Sequence, residues 1–463
     1  MSEPKKVDRR KFIYAGLGAV ALIAIGAAAY VAMNPPVVTQ TTTVPTTSIV
    51  TTTVPTTSVV TSTVPTTSVA KVTMWKGPHT TDDPSVYAPL LEEFKKETGI
   101  TAEFVSVPWD ALSAKLSAAV TSGTVCDVAY LPATWMYQYA NMGALVELEN
   151  LPGFDEIKSR PYIEASWGAG QFNGHQYGIP YLAGSVVLMY NKDIFEKAGV
   201  TKFPKTYDEL IEIAKQIHNP EKGVFAIGMP VGSFASTTHW CSSVLYAHGA
   251  NVPLSFGKPI PGVGDNEMTL NTDAGVQAMN VMKKLWEYSH KGKLSRSEAT
   301  DMFFAGKVGI IPHEAFTITM LPKYPNIRAG VFHFPDGPKG RFNYGESGYI
   351  CIFKQTKNLD ASWKFAKFIT SKDANAAYCK ASGLLPCDQE IKIPEFTSGP
   401  YADLYNVYIE AIGSGRTNMY ALYGEELDRM EDDILLGGAD IKQTLDKTAQ
   451  DILLIIKASG FKI

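Results

Sequence analysis

Two acidic residues stand where they could do chemistry. Glu314 follows the run Val308 to Pro312, an apolar stretch that reads as a buried strand, and Glu346 sits in the glycine-rich stretch FNYGESGY, residues 342–349. A pair of carboxylates roughly 5 to 10 Å apart across a cleft is what glycoside hydrolysis requires. No local motif supports that reading. His313-Glu314-Ala315-Phe316-Thr317 lacks the second histidine of a zinc-protease helix, and Gly345-Glu346-Ser347-Gly348-Tyr349 lacks the last glycine of a nucleophile elbow. Gly16-Leu17-Gly18 with Ala21 mimics a dinucleotide loop but lies inside an apolar N-terminal run. No catalytic residue, metal site or cofactor is assigned. Each carboxylate then reads either as a hydrogen-bond acceptor for a ligand or as a solvated helix-cap group. His79, His239 and His313 are open in the same way between contact and surface. Trp135 and Trp240, at helix starts, either stack on a ligand or pack a helix on a sheet, whereas Trp109, Trp286 and Trp363 read as core.

The elements that must position these residues begin at Lys71. Val72 to Trp75 reads as a strand, a helix starts at Pro84 and stops at Gly99, and Ala102 to Val107 is a second strand. Leu112 to Thr121 is helical, Val125 to Leu131 is a strand around Asp127, and Trp135 to Met142 is a helix stopped by Gly143. This alternation predicts an α/β domain with a largely parallel sheet and ligands outside the carboxyl ends of its strands. The segments leaving those ends, Lys76 to Asp82, Val107 to Asp110 and Pro132 to Trp135, carry polar or aromatic tips. Asn173-Gly174 marks a turn before the apolar strand Val186 to Tyr190, which enters a short helix that Gly199 can stop. Thr206 and Glu209 predict a capping box for the next helix, with Leu210, Ile213, Ala214 and Ile217 on one face. A second α/β lobe follows: a strand Val224 to Met229, a helix Thr238 to His248, a helix Ala274 to Tyr288 capped by Asn271, and an amphipathic Ser297 to Ala305 leading into the strand at Val308. Helices at Ala361 to Thr370, Tyr401 to Ile412, Glu425 to Leu436 and Ile441 to Lys457 close the chain.

Composition limits what such a scaffold can do. A chain of 463 residues, 45% hydrophobic, can bury more than one core. Its net charge of -4 supplies no basic field for nucleic acid. Lys5, Lys6, Arg9, Arg10 and Lys11 precede the apolar run Phe12 to Met33, about 33 Å long as a helix and sufficient to span a bilayer. The run is an export signal, of twin-arginine or general type, or an uncleaved anchor with its amino terminus inside; the anchor is the reading adopted. Residues 41–70 repeat a ten-residue unit, TTTVPTTSIV, TTTVPTTSVV and TSTVPTTSVA, each with one proline and no charge. Such a tract buries no core and reads as an extended stalk.

The order of GHQYGIPYLAGSVVLMYNKDIFEKAGV, PKTYDELIEIAKQI, FFAGKVGII, SWKFAKFITSKDANAAYCKASGLLP and the early LLEEFKKETGI resembles the maltose-type (family 1) extracellular solute-binding proteins of ABC importers. The resemblance runs from Lys71 to Lys457. It implies a two-lobed α/β, periplasmic-binding-protein-like fold behind the membrane helix and stalk. That fold would bend at hinge crossings near Pro180 to Gly184, Phe342 to Gly348 and Leu385 to Gln389. The expected domains are 1–35 signal or anchor, 36–70 stalk, 71–182 with 345–386 as lobe 1, and 183–344 with 387–463 as lobe 2. By the same resemblance one wall of the ligand site comes from Trp75, Lys76, His79, Asp82, Thr134 and Trp135. The other comes from Tyr181 and Ser185, from Thr238, His239 and Trp240, from His313, Glu314 and Phe316, from Glu346 and Tyr349, and from Tyr420 or Tyr423. Flat rings for the apolar faces of a sugar and polar groups for its hydroxyl rim are both in this set.

The implied function is non-enzymatic: capture of a sugar or oligosaccharide by hinge closure, for delivery to ABC permease subunits, by a monomer tethered to the cell membrane with its binding domain outside. A glycoside-acting enzyme or a glycan-binding adhesin on a stalk is the alternative. Maltose-binding members carry an acidic residue at the first crossing where this chain has Ala183-Gly184-Ser185, which points away from maltose itself. Of the five cysteines, Cys379 and Cys387 are close enough in sequence to close a small loop, and a disulfide between them is expected.

Overall fold

Val72 and Met74 alternate inward on the strand Lys71–Lys76, and Pro84 at the start and Gly99 (φ 70°) at the end delimit the helix Asp83–Thr98 behind it. From such units the computed structural model builds two lobes, each around its own sheet. It describes residues 70–80, 82–461 and 463. The expected membrane segment and nearly all of the stalk lie outside the described residues, among which no helix is long and apolar enough to cross a membrane.

The first lobe carries a six-stranded sheet in the order Leu385–Pro386, Gly178–Ala183, Ser347–Ile352, Val128–Pro132, Lys71–Lys76, Thr101–Ser106. Lys71–Lys76 pairs in parallel with both its neighbours, but Ser347–Ile352 runs antiparallel to Val128–Pro132 and to Gly178–Ala183, and Leu385–Pro386 antiparallel to Gly178–Ala183. The expected, largely parallel sheet is therefore mixed. Only two strands are reversed: Gly178–Ala183 still runs with the parallel set, whereas Ser347–Ile352 returns from the other lobe against it and Leu385–Pro386 follows Ser347–Ile352 through two helices in that same reversed sense.

The second lobe has the order Ala329–Phe332, Val186–Asn191, Val308–Glu314, Phe225–Ile227. Val186–Asn191 lies between two antiparallel partners, and Val186 to Met189 are fully buried, so burial on both faces accounts for the missing polar alternation. A small third sheet joins Asn343–Tyr344, Gly415–Asn418 and Ser255–Gly257. The Thr206–Glu209 capping box forms, and Leu210, Ala214 and Ile217 are buried behind it. Asn173 and Gly174, both at positive φ, turn the hairpin between Gln171–Phe172 and His175–Gln176.

Local differences from expectation have local causes. The expected helix Thr238 to His248 begins as a π-helical stretch, Ser236–Ser242, and becomes α-helical at Ser243–His248. Thr272 rather than Asn271 occupies the cap of Asp273–Glu287, because the Asn271 side chain donates to Asp446 instead. The helix expected from Glu425 starts at Tyr420 and kinks at Tyr423. The Cys379–Cys387 disulfide does not form: all five cysteines are free and buried. Cys379 is packed inside the helix Lys372–Ser382, and the Cys387 thiol lies against the hydroxyls of Ser166 and Ser347, where burial pushes it up to about 12.

The chain leaves the first sheet at Gly184-Ser185 and returns to it through Gly345-Glu346. These crossings touch: the Gly184 amide donates to the Glu346 carbonyl at 3.1 Å, and a Cβ on Gly184 would lie 2.4 Å from that oxygen. Residues 388–389 remain against the first lobe through Arg160–Asp388 and the Gln389 amide on the Pro161 carbonyl.

Candidate functional site

Lys76 ends the first strand fully buried. Its ammonium donates to Asp83 at 2.5 Å, to the Tyr378 hydroxyl at 2.6 Å and to the Gly77 carbonyl at 2.8 Å. Burial pulls it down to about 8 against the opposing pull of Asp83. Asp83 in turn accepts from the His79 amide, the Thr80 amide and the Thr80 hydroxyl, so the pair ties down the loop that follows the strand. Asp82, expected in the site, is instead the exposed N-cap of the helix and accepts from the Ser85 amide. Trp75 turns to the other face of the strand, under the Lys115 ammonium at 3.9 Å.

What the tied loop presents is His79. Its ring lies 5.2 Å from Trp109 and 5.2 Å from Tyr130, and Trp135 stands 5.9 Å beyond Trp109. The His79 Nδ1 is buried without a partner. Burial, then Lys76, then Arg296 hold His79 well below the ordinary histidine range, so it is neutral. Arg296, which belongs to the second lobe, is thus among the charges that act on His79. Trp109, assigned to the core from sequence, forms the middle of this wall: its indole donates to the Pro78 carbonyl at 2.8 Å, and Gly77 leaves room for the ring.

The second wall is built on the π-helical stretch. Ser236 donates to Glu431 at 2.6 Å, the Thr237 hydroxyl lies 2.5 Å from Asp428 and 3.0 Å from Glu431, Thr238 donates to the Phe234 carbonyl at 2.7 Å, and the Trp240 indole to the Gly228 carbonyl at 3.0 Å. Thr238 and Trp240 are thereby consumed in the core. His239 remains, against Tyr344 at 5.5 Å, with its Nε2 3.5 Å from Glu314 and in no hydrogen bond. Burial lowers it to about 4.

Glu314 pairs with Arg296, whose guanidinium lies 5.3 Å over Phe316. Burial alone would raise Glu314; Arg296, then His239 and His313, overcome it and hold the carboxylate at about 2. His313 lies buried beneath, bonded to Thr317 and lowered by burial to about 3. Behind this wall burial pushes Glu431 up to about 8, and Tyr420 bonds Asp428 with its ring 4.8 Å from Phe234.

Between the walls, Glu346 accepts from the Thr134 amide at 3.1 Å, the Thr134 hydroxyl at 2.9 Å and the Tyr344 hydroxyl at 2.5 Å; burial raises it above the ordinary carboxylate range. A cavity of about 30 Å³ beside it is lined by Ala133, Ser166, Gly184, Gly345 and Thr417 among others. Four further expected residues face the core. The Tyr181 hydroxyl meets that of Tyr87 at 3.2 Å, Ser185 donates to the Tyr408 carbonyl at 2.9 Å, Tyr349 to the Ser166 carbonyl at 2.7 Å and Tyr423 to the Pro253 carbonyl at 2.7 Å.

The structure thus gathers His79, Thr134, Trp135, His239, Glu314, Phe316, Glu346 and Tyr420 of the expected set, with His313 supporting Glu314. Sequence reasoning passed over Trp109, Tyr130, Arg296 and Tyr344. For Arg296 a signal existed: Ser295 and Glu298 form a capping box, which fixes a helix start directly before it. The arrangement can stack flat faces on one side and exchange hydrogen bonds with hydroxyls on the other. Among the described residues one group has metal-like spacing, Glu147, Glu149 and His175; it lies half exposed in the Gln171–Gln176 hairpin region, where His175 and Glu149 satisfy one another at 2.6 Å.

Residues 90–401 match the pattern of a family described as bacterial extracellular solute-binding protein. A Brucella abortus chain named as a binding protein, with no ligand in its name, is 29% identical over 313 residues, 65% of this chain and 73% of its own length. The diacetylchitobiose binding protein of Streptomyces coelicolor is 26% identical over 310 residues, 65% of this chain and 69% of that one. Among solved structures, an ABC transporter solute-binding protein from Thermotoga lettingae, bound with alpha-D-tagatose, superposes with a TM-score of 0.70. It covers 84% of this chain and 100% of its own at 19% identity, a likeness of fold.

Proposed function

The chain belongs to the bacterial extracellular solute-binding protein family, and from that premise we propose that it captures an uncharged saccharide between its two lobes and hands it to an ABC permease. Membership makes it a binding protein rather than an enzyme, which answers the glycoside-acting alternative. The observation that carries the choice of solute is the charge balance of the walls. The first wall offers rings, His79, Trp109, Tyr130 and Trp135, with no cation; the second offers Arg296 and Glu314, which neutralise one another, beside a neutral His239, and Glu346 between them is taken up by Thr134 and Tyr344.

Rings suit the C–H faces of a sugar, and a paired guanidinium and carboxylate suit its hydroxyl rim. A phosphate ester would require an unpaired cation, and the two cations that back these walls, Lys76 and Arg296, are each held by a carboxylate. The relative from Streptomyces is named for a sugar and that from Thermotoga was solved with one, in keeping with this reading. Closure would join the walls around the solute, since a ligand shifts an open–closed equilibrium only through contacts that differ between the two states. On the sequence reading of residues 1–70, the binding domain stands outside a membrane where the permease collects the solute.

Titration calorimetry of the whole chain against mono- and oligosaccharides, polyols and sugar phosphates tests this. A neutral saccharide is expected to bind, and Trp135→Ala is expected to weaken it about tenfold, the equivalent of about 1.4 kcal/mol of lost stacking. Binding of sugar phosphates alone would overturn the reading.

A further inference from the structure

The second crossing contains a hydrogen bond that spans Gly345. On one side, Glu346 is fixed to the first lobe. The pairing of Gly348 with Pro132 continues so that Glu346 stands beside Thr134, whose amide and hydroxyl both donate to one carboxylate oxygen. The Glu346 carbonyl also accepts from Gly184 in the other crossing.

On the other side, Tyr344 is fixed to the second lobe. It pairs with Arg416 in the small sheet, its amide donates to the Ser243 hydroxyl at 3.0 Å, and its ring lies 5.5 Å from His239 and 6.1 Å from Phe234 on the second wall. Its hydroxyl reaches over Gly345 to the second Glu346 oxygen at 2.5 Å. Gly345 has no room for a side chain, since a Cβ there would lie 2.5 Å from the Gly415 Cα.

We propose that Tyr344 and Glu346 form a closure latch: a hydroxyl that moves with the second lobe engages a carboxylate held by the first, and so couples contact on the His239 wall to the approach of the Trp135 wall. The coupling rests on reading the cleft as the solute site. The physical argument is short. Rotation of one lobe against the other turns the backbone at Gly345, which lies between donor and acceptor, so the bond lengthens as the lobes part. A hydroxyl on a part-buried carboxylate is a strong, charge-assisted bond, and opening must replace it by water. Tyr344 and Glu346 are positioning residues here, acting through Thr134 on one wall and His239 on the other.

Spin labels at Glu93→Cys and Lys283→Cys, both exposed and one on each lobe, give an interlobe distance by pulsed dipolar spectroscopy on the whole chain; the native cysteines are buried. No solute is added, so the outcome does not depend on what the cleft binds, and failure of the saccharide screen would leave this test standing. The parent is expected to hold the interlobe distance of the structure as a main population. Tyr344→Phe, which removes one oxygen and keeps the ring, should move most of it to longer and broader distances. Glu346→Gln, whose amide oxygen still accepts, should move less. Tyr349→Phe removes a buried hydroxyl whose bond lies within the first lobe and should change nothing. A Tyr344→Phe distribution that superposes on the parent, or an equal shift from Tyr349→Phe, overturns the proposal.

Discussion

Each wall of the cleft is backed by a buried carboxylate, and the two are kept in place by different means. Behind the first wall Asp83 has a cation, Lys76, with both side chains 0% exposed, and Tyr378 bonded to each. Behind the second, Glu431 has the hydroxyls of Ser236 and Thr237 and no cation, and at about 8 it keeps its proton at neutral pH. A buried charge must be paired or neutralised. The first wall uses an ion pair and holds one loop rigidly; the second uses a proton and is therefore sensitive to pH. The charges at the cleft surface are a third case: Arg296 is 34% exposed and Glu314 19%, so their pair is accessible to a solute while the Lys76 pair is not.

The contrast predicts a ranking. Asp83→Asn should be the costliest change, because it leaves Lys76 buried without a full charge partner; removing one member of such a pair costs about 3–5 kcal/mol, visible as a lower urea midpoint. A loss under about 1 kcal/mol would show that the first wall does not depend on the pair. Glu314→Ala should cost less stability, about 1–2 kcal/mol, since water can reach Arg296, and should instead abolish most saccharide binding in calorimetry. The reverse outcome, lost stability with intact affinity, would make the Arg296 pair scaffolding like the Lys76 pair.

The third effect is a pH dependence rather than a loss at one pH. Glu431 releases its proton near 4.5 when unfolded and near 8 when folded, so its contribution to stability is fully present below about 4.5 and declines as pH rises through that window to about 8. Asp428 and Asp432 press in the same direction. Glu431→Gln should flatten that decline in melting temperature between pH 5 and pH 8, and an unchanged slope would place the sensitivity elsewhere.

Much of this was legible wherever the cause is local. The caps at Thr206, the stops at Gly99 and Gly199 and the turn at Asn173-Gly174 are written within a few residues of where they act. The mixed sheet was not, since Ser347–Ile352 meets Val128–Pro132 across more than two hundred residues and nothing in either strand states the direction. The site divides in the same way. Asp82 and Asp83 are adjacent acids at one helix start; capping needs one of them, and the one with the larger role is decided by Lys76 and Tyr378, which only folding brings near. Tyr181, Tyr349 and Tyr423 have the right type and neighbourhood for a pocket, but each hydroxyl finds a partner inside the protein and each ring goes to the core. Trp109 made the opposite move, because Gly77 opened a place for it beside His79.

Ala183 and Ser347 are register partners on the first sheet, and the chain departs for the second lobe immediately beyond one and arrives from it immediately before the other. Two tethers rooted side by side, with a third crossing after Gln389, would act as the pins of a door. They would leave a swing about the line through the first two and resist sliding of one lobe over the other. In a swing, displacement grows with distance from the axis, so Thr134 and Glu346 travel least and the outer edges of the lobes travel most. Chemical discrimination is then best placed close to the pins, where geometry hardly varies, while tolerance for solutes of different length is decided at the far rim.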